Sequence, residues 1–365
     1  MRKKILINLL PIPGNELYGV GQYLKSILND ISSNVEENEI TFIHHSNTLP
    51  SELFSLPIHK NISLKSIRYL SNNRILRILF EQLILPFICT KFDILYIPAN
   101  IKPLILPKSC KSIITIYDLL PFISTSRYSF LQSTYLKLFT YLSSHACEKI
   151  ITCSNFSKFD IINKLNIPSE KIDVIYFGIS NKIDKLFQKS PIDEPFFLII
   201  AGLNADKRID LAIYSFTKFS KNNQNCNLII IGADQGDLAR LKLLVSNLEM
   251  DSRILFIGFV DEEKKWNYLF NCLALILFGK NEGFGIPVLE AVSIGKPVVV
   301  SNSGSLPEVA GPVGFIVDPY DNDALSIIYT KIYDGFNFNS SDLNIHLNKF
   351  SIINQSKLFW SAIVL

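Results

Sequence analysis

The segment Glu282-Gly283-Phe284-Gly285-Ile286-Pro287-Val288-Leu289-Glu290 sets two carboxylates around two glycines and a helix start. Glycine lets a ligand approach the backbone closely, and proline suits the first turn of a helix. The N–H groups of such a start form an anion site suited to a diphosphate, while Glu282 and Glu290 can accept hydrogen bonds from hydroxyls. Two carboxylates beside one phosphate site imply a ligand carrying both phosphates and sugars. A second cluster, Gly202-Leu203-Asn204-Ala205-Asp206-Lys207-Arg208, also follows an apolar run and opens a helix. A cation there would neutralise a departing nucleotide diphosphate, an effect that grows in a water-poor setting.

These clusters need rigid elements behind them. Short apolar runs at 4–10, 39–44, 62–67, 94–99, 112–117, 149–153 and 173–177 alternate with longer amphipathic stretches. The pattern restarts at 196–202 and continues at 227–232, 253–259, 274–278, 297–301 and 314–317. Such alternation predicts α/β architecture, with parallel strands buried under helices in two Rossmann-like, doubly wound domains. Open sheets of this kind bind ligands at the carboxyl ends of their strands, so two facing domains would make a central cleft. The expected division is a first domain over 1–178, a polar, proline-bearing linker over 179–195 and a second domain over 196–349.

Composition narrows the class. The chain has 365 residues, more than one core usually serves, with 48% apolar and 19% charged residues. The net charge is +3, yet residues 1–178 carry 19 Lys/Arg against 13 Asp/Glu and the remainder is net acidic. That asymmetry is too weak for a duplex nucleic-acid binder and fits a membrane surface or an anionic acceptor better. Six scattered cysteines show neither zinc nor disulfide spacing, as expected of a reducing compartment. The basic, apolar start resembles a signal peptide, but Pro11, Pro13 and Gly14 follow it and no small-residue cleavage site does, so it reads as a first buried strand.

The spacing Glu282…Glu290, with seven residues between, resembles the signature of family 4 (group 1) retaining glycosyltransferases of the GT-B fold. The similarity runs along nearly the whole chain and is nearest to mannosyltransferases around Tyr117–Pro121. It implies that Glu282 and the backbone of Gly283, Phe284, Gly285 and Ile286 hold the donor sugar and phosphates, and that Glu290 binds the ribose. It also implies that Lys207 is the phosphate lysine, aided by Arg208 after Gly202, and that residues 350–365 return as a helix to the first domain. The family often has arginines where this chain has Leu203 and Asp206; Arg208 would compensate.

The first half adds acceptor-side or phosphate-loop candidates. Gly19-Val20-Gly21, before a helix expected over 22–28, resembles the family's glycine loop. Tyr117-Asp118 resembles its His-Asp stretch, with Tyr117 where histidine is common; a tyrosine hydroxyl can still donate to a sugar, and Asp118 is the first-half catalytic candidate unless it only caps a turn. Ser154, after the run at 149–153, either faces the cleft or caps the next helix.

The expected reaction is transfer of a hexose, mannose from GDP-mannose first, to a glycan or lipid-linked acceptor in bacterial surface polysaccharide (O-antigen or capsule) synthesis, with retention. No cofactor or metal is expected: Asp321-Asn322-Asp323 has a metal-binding form but stands at a helix start. The base-rich stretch 60–80 reads as contact with the inner face of a cytoplasmic membrane, Arg74 and Arg77 sharing a helix face opposite apolar residues, or as a core helix bearing two exposed arginines. The rivals are a dinucleotide-dependent oxidoreductase, which lacks its third glycine here, and a non-catalytic sugar-nucleotide-binding scaffold.

Overall fold

The structure is a computed structural model. It describes the chain apart from residues 1, 13–18, 29–30, 47–49, 51–53, 55, 69–72, 124–128, 181–188, 337–338 and 365. Most of the expected linker, and Gly14, thus lie outside the described residues. The chain divides into two compact units, Met1–Gly178 with Phe350–Leu365, and Ile179–Lys349.

In the first unit seven strands form one sheet: β1 (Lys4–Asn8), β2 (Glu39–His45), β3 (Ile62–Ile67), β4 (Ile94–Ile97), β5 (Lys111–Thr115), β6 (Lys149–Thr152) and β7 (Ile172–Val174). Their order is β3-β2-β1-β4-β5-β6-β7, and every pairing is parallel. Ile5, Leu6 and Ile7 are fully buried, as strands covered on both faces require. The helix Ile352–Ile363 packs on the helix Val20–Ile27, where Ser356 Oγ donates to the Ile27 carbonyl at 2.7 Å.

In the second unit the six parallel strands are β8 (Phe196–Ile200), β9 (Asn227–Ile231), β10 (Ile254–Gly258), β11 (Leu275–Leu277), β12 (Val298–Ser301) and β13 (Phe315–Val317). They are ordered β10-β9-β8-β11-β12-β13. Phe197, Phe219 and Tyr329 lock the helices Ile209–Ser220 and Asn322–Tyr333 onto one face, their ring centroids 4.9–5.9 Å apart. Burying each such ring stabilises the fold by roughly 1.5–3 kcal/mol.

In both sheets the chain builds outward on one side and then crosses to the other. The reversal falls between β1 and β4 in the first unit and between β8 and β11 in the second. Diverging connections at such a switch point leave a crevice beyond the carboxyl ends of the two central strands.

Candidate functional site

The loops after β8 and β11 flank the switch point of the second sheet, and each supplies one member of an ion pair. Lys207, in the 3-10 turn Ala205–Lys207, donates to Glu282 Oε1; both side chains are largely covered, 23% and 15% exposed. The loops are also tied through backbone, Lys280 N donating to the Asp206 carbonyl at 2.9 Å. Ser305, beyond β12, fixes the other side of Glu282: its Oγ and N donate to the Glu282 carbonyl at 2.8 and 3.1 Å. Gly304, at φ +66°, must be glycine, because a Cβ would lie 2.8 Å from Glu282 N.

Arg208 adopts the left-handed conformation at φ 49°, and its guanidinium lies 5.6 Å from the Tyr320 ring centroid. Gly202 lies against Gln235, whose side chain a Cβ would meet at 2.6 Å. Leu203, where the family often has arginine, is buried in the core, so its side chain forms part of the hydrophobic packing. Asn204 accepts from Asp206 N at 3.1 Å and donates to Gln235 Oε1 at 2.6 Å, which holds the Lys207 turn in shape.

Gly285, at φ 89°, is the residue before the helix Ile286–Ser293, which has Pro287 in its first turn. Gly283 and Ile286 are half-buried, and Phe284 is buried. Glu290 lies inside this helix, 4% exposed. Lys265, on the helix Glu262–Asn271, donates to Glu290 Oε1 at 2.7 Å, while Glu290 Oε2 is buried without a partner. Burial pushes the Glu290 carboxyl above the usual range, and the Lys265 ammonium offsets part of that.

The first-unit candidates also lie beyond the carboxyl ends of their strands, but several side chains have structural work. Gly19, at φ 41°, precedes the helix Val20–Ile27, so Val20 and the buried Gly21 belong to its first turn and the helix begins two residues earlier than expected. Tyr117 has its hydroxyl buried without a hydrogen-bond partner and its ring edge-on to Tyr23 at 5.3 Å. Asp118 Oδ1 accepts from Leu120 N at 3.0 Å, which is turn capping. Ser154 Oγ is buried, accepts from Ser157 N at 3.0 Å and donates to Ser157 Oγ at 3.0 Å; it caps the helix Asn155–Leu165.

Other residues fall into supporting roles. Asp321 caps the helix Asn322–Tyr333 through Ala324 N at 3.0 Å, and Asp323 pairs with Lys218. Among the described residues no group of three or more His, Cys, Asp and Glu could hold a metal ion, and all six cysteines are buried outside any disulfide.

Residues 182–334 match the family model described as glycosyl transferases group 1. That match lies within the second unit. Among curated proteins, the chain resembles the O-antigen chain mannosyltransferase RfbU of Salmonella typhimurium, 31% identical over 209 residues, 57% of each chain. It also resembles O-antigen chain mannosyltransferase B of Escherichia coli, 29% identical over 206 residues, 53% of each chain. The chain thus spans little more than half the length of these relatives. The solved Anabaena HepE in complex with UDP and glucose superposes at a TM-score of 0.71 and 16% identity, covering all of both chains. The apo lipopolysaccharide outer core galactosyltransferase WaaB gives 0.69 at 16% identity, covering 99% of both chains. At such identity the likeness shows the fold, which is GT-B.

Sequence reasoning did not find Lys265 or Ser305. Ser305 and Gly304 follow the apolar run of β12, at the same sheet edge as Glu282, and that position was the available signal. Lys265 has none, since Glu-Glu-Lys-Lys reads as a solvated helix start.

Proposed function

We propose that the chain is a retaining glycosyltransferase that takes a hexose, mannose from GDP-mannose first, from a nucleotide diphosphate and places it on a glycan or lipid-linked acceptor in bacterial surface polysaccharide synthesis. The observation that carries this reading is the Lys207–Glu282 pair at the switch point. It puts a cation for a leaving diphosphate against a carboxylate for sugar hydroxyls, beside the glycine-bounded helix start. The family match and the mannosyltransferase relatives support the class and the sugar.

In this reaction the anomeric C–O bond breaks as negative charge builds on the diphosphate, with Lys207, Arg208 and the Gly283–Ile286 backbone stabilising it. The acceptor hydroxyl attacks from the face the nucleotide leaves, which retains configuration. A panel of nucleotide sugars assayed by thermal shift tests the reading: one of them raises the melting temperature of the chain, whereas no stabilisation by any would overturn it.

The acceptor side carries a second feature. The helical stretch from Arg74 to Cys89 leaves Ile75, Leu83 and Phe87 exposed, and the helix Phe130–Ala146 does the same with Phe130 and Leu131. Gln82 joins the two through the intervening loop: it donates to the Lys102 carbonyl at 3.1 Å, and Lys102 N donates to Ser143 Oγ at 3.1 Å. The sequence of residues 74–146 holds eight Lys/Arg against three Asp/Glu, and Arg74 is exposed beside Ile75, so the occupant we assign to this face is an anionic lipid surface, with the apolar side chains inserted. The arginines differ from expectation: Arg74 is exposed, but Arg77 is half-buried and turned toward Glu81 at 3.8 Å. Among the described residues no helix is long and apolar enough to cross a membrane.

A further inference from the structure

Glu290 is a buried carboxylate with its two oxygens treated differently. Oε1 takes the Lys265 ammonium at 2.7 Å, and Oε2 has no hydrogen-bond partner. A buried acceptor left unmatched is costly, and the cost is recovered when a hydroxyl arrives. Lys265 is itself 11% exposed at its side chain and is fixed from two further directions, by Glu262 Oε2 at 2.9 Å and by the Trp266 ring at 5.3 Å. Burial would lower the Lys265 pKa, but the two glutamates reverse this and hold it raised. The amine therefore stays charged at any working pH.

Glu290 depends on that charge. The charged groups acting on it are Lys265, which favours the carboxylate, and Glu262 on the same helix, which opposes it. The other titratable groups on helices packed against Ile286–Ser293 are Glu308 on Leu306–Ala310 and Asp342 and His346 on Ser340–Asn348. Without the ammonium that offset to burial is lost, and the group takes up a proton at higher pH.

We propose that Lys265 is a positioning residue that keeps Glu290 ionised and locked through Oε1, reserving Oε2 as an acceptor for the hydroxyls of the bound nucleotide. This rests on the donor-site reading of the second unit. It assigns the pH range of nucleotide binding to a residue outside both motif loops.

The test is calorimetric titration of the full chain with GDP and UDP between about pH 6 and about pH 9, where a neutral Glu290 would be exposed as a loss of affinity at the acid end. For Lys265→Met the dissociation constant of the preferred nucleotide rises roughly tenfold at the acid end, the worth of one hydrogen bond to a charged group, and returns toward wild type as pH rises. Lys265→Gln, which keeps a donor but no charge, shows the same slope and serves if the methionine variant does not fold. Lys265→Arg follows wild type. An affinity loss of equal size at every pH, or none, overturns the proposal, because a merely structural lysine would give no slope. Glu290→Gln separates the failures. Unchanged nucleotide affinity there overturns the donor-site reading itself, whereas loss there with a flat Lys265→Met profile overturns only the part given to Lys265.

Discussion

Lys207 and Glu282, 75 residues apart in sequence, meet as an ion pair because β8 and β11 are neighbours and their loops leave the sheet side by side. In the proposed reaction the pair links the phosphate-side cation to the sugar-side carboxylate. Replacing Lys207 by Met keeps its apolar stem and removes the charge. The expected result is a kcat lower by roughly 100-fold or more, the size seen when one preorganised group facing developing charge is lost. Steady-state kinetics with the stabilising nucleotide sugar check it, and an unchanged kcat would remove Lys207 from the reaction.

Tyr117 gives the opposite expectation. Its hydroxyl is buried and has no hydrogen-bond partner, and deleting such a group is close to neutral or mildly stabilising. Tyr117→Phe should leave kcat within about twofold and the urea midpoint equal or slightly higher. A large fall in kcat with unchanged stability would mean that the hydroxyl turns out to meet a substrate.

The helix start at Gly285 is conformationally demanding. Its φ is 89°, and an added Cβ would lie 2.7 Å from Leu306 Cδ2. Gly285→Ala should cost about 1–3 kcal/mol of stability, measured by denaturant unfolding, through a strained backbone and a displaced leucine. Nucleotide affinity should fall with it, because the displaced backbone is the proposed phosphate cradle.

The proposed membrane face is testable by vesicle sedimentation. Wild type should bind vesicles containing anionic lipid and release at high salt, while a Phe87→Ser, Phe130→Ser double variant should bind at least tenfold more weakly, as loss of about two inserted rings implies. The double variant should keep its melting temperature, since both rings are exposed, 75% and 84%. Equal binding by both proteins would exclude this face.

Much of the fold was legible because a doubly wound sheet writes itself in apolar runs: all five residues of β9 and all four of β4 are buried. The ends of strands were less so. The run at 112–117 looks continuous, yet β5 stops at Thr115, and beyond it the chain turns to place Asp118 as a cap and to bury the Tyr117 hydroxyl. The motif loops were legible through their glycines, which backbone geometry demands. Lys265 was not, because a lysine among charged neighbours declares no direction until the helix is docked. Ser154 illustrates the reverse case, a residue whose two readings share one sequence pattern and whose cap hydrogen bond appears only in three dimensions.

The central claim is that Glu282 and Lys207 build a sugar-nucleotide site used for transfer. Its most direct test is transfer of labelled mannose from GDP-mannose to a lipid-linked glycan acceptor by the wild-type chain and by Glu282→Ala, with the anomeric configuration of the product read by NMR. The expected result is transfer with retention by wild type and a loss of roughly 100-fold or more in the variant. Transfer undiminished in Glu282→Ala would contradict the site, an inverted product would contradict the mechanism, and binding of the nucleotide sugar with neither transfer nor hydrolysis would contradict the activity.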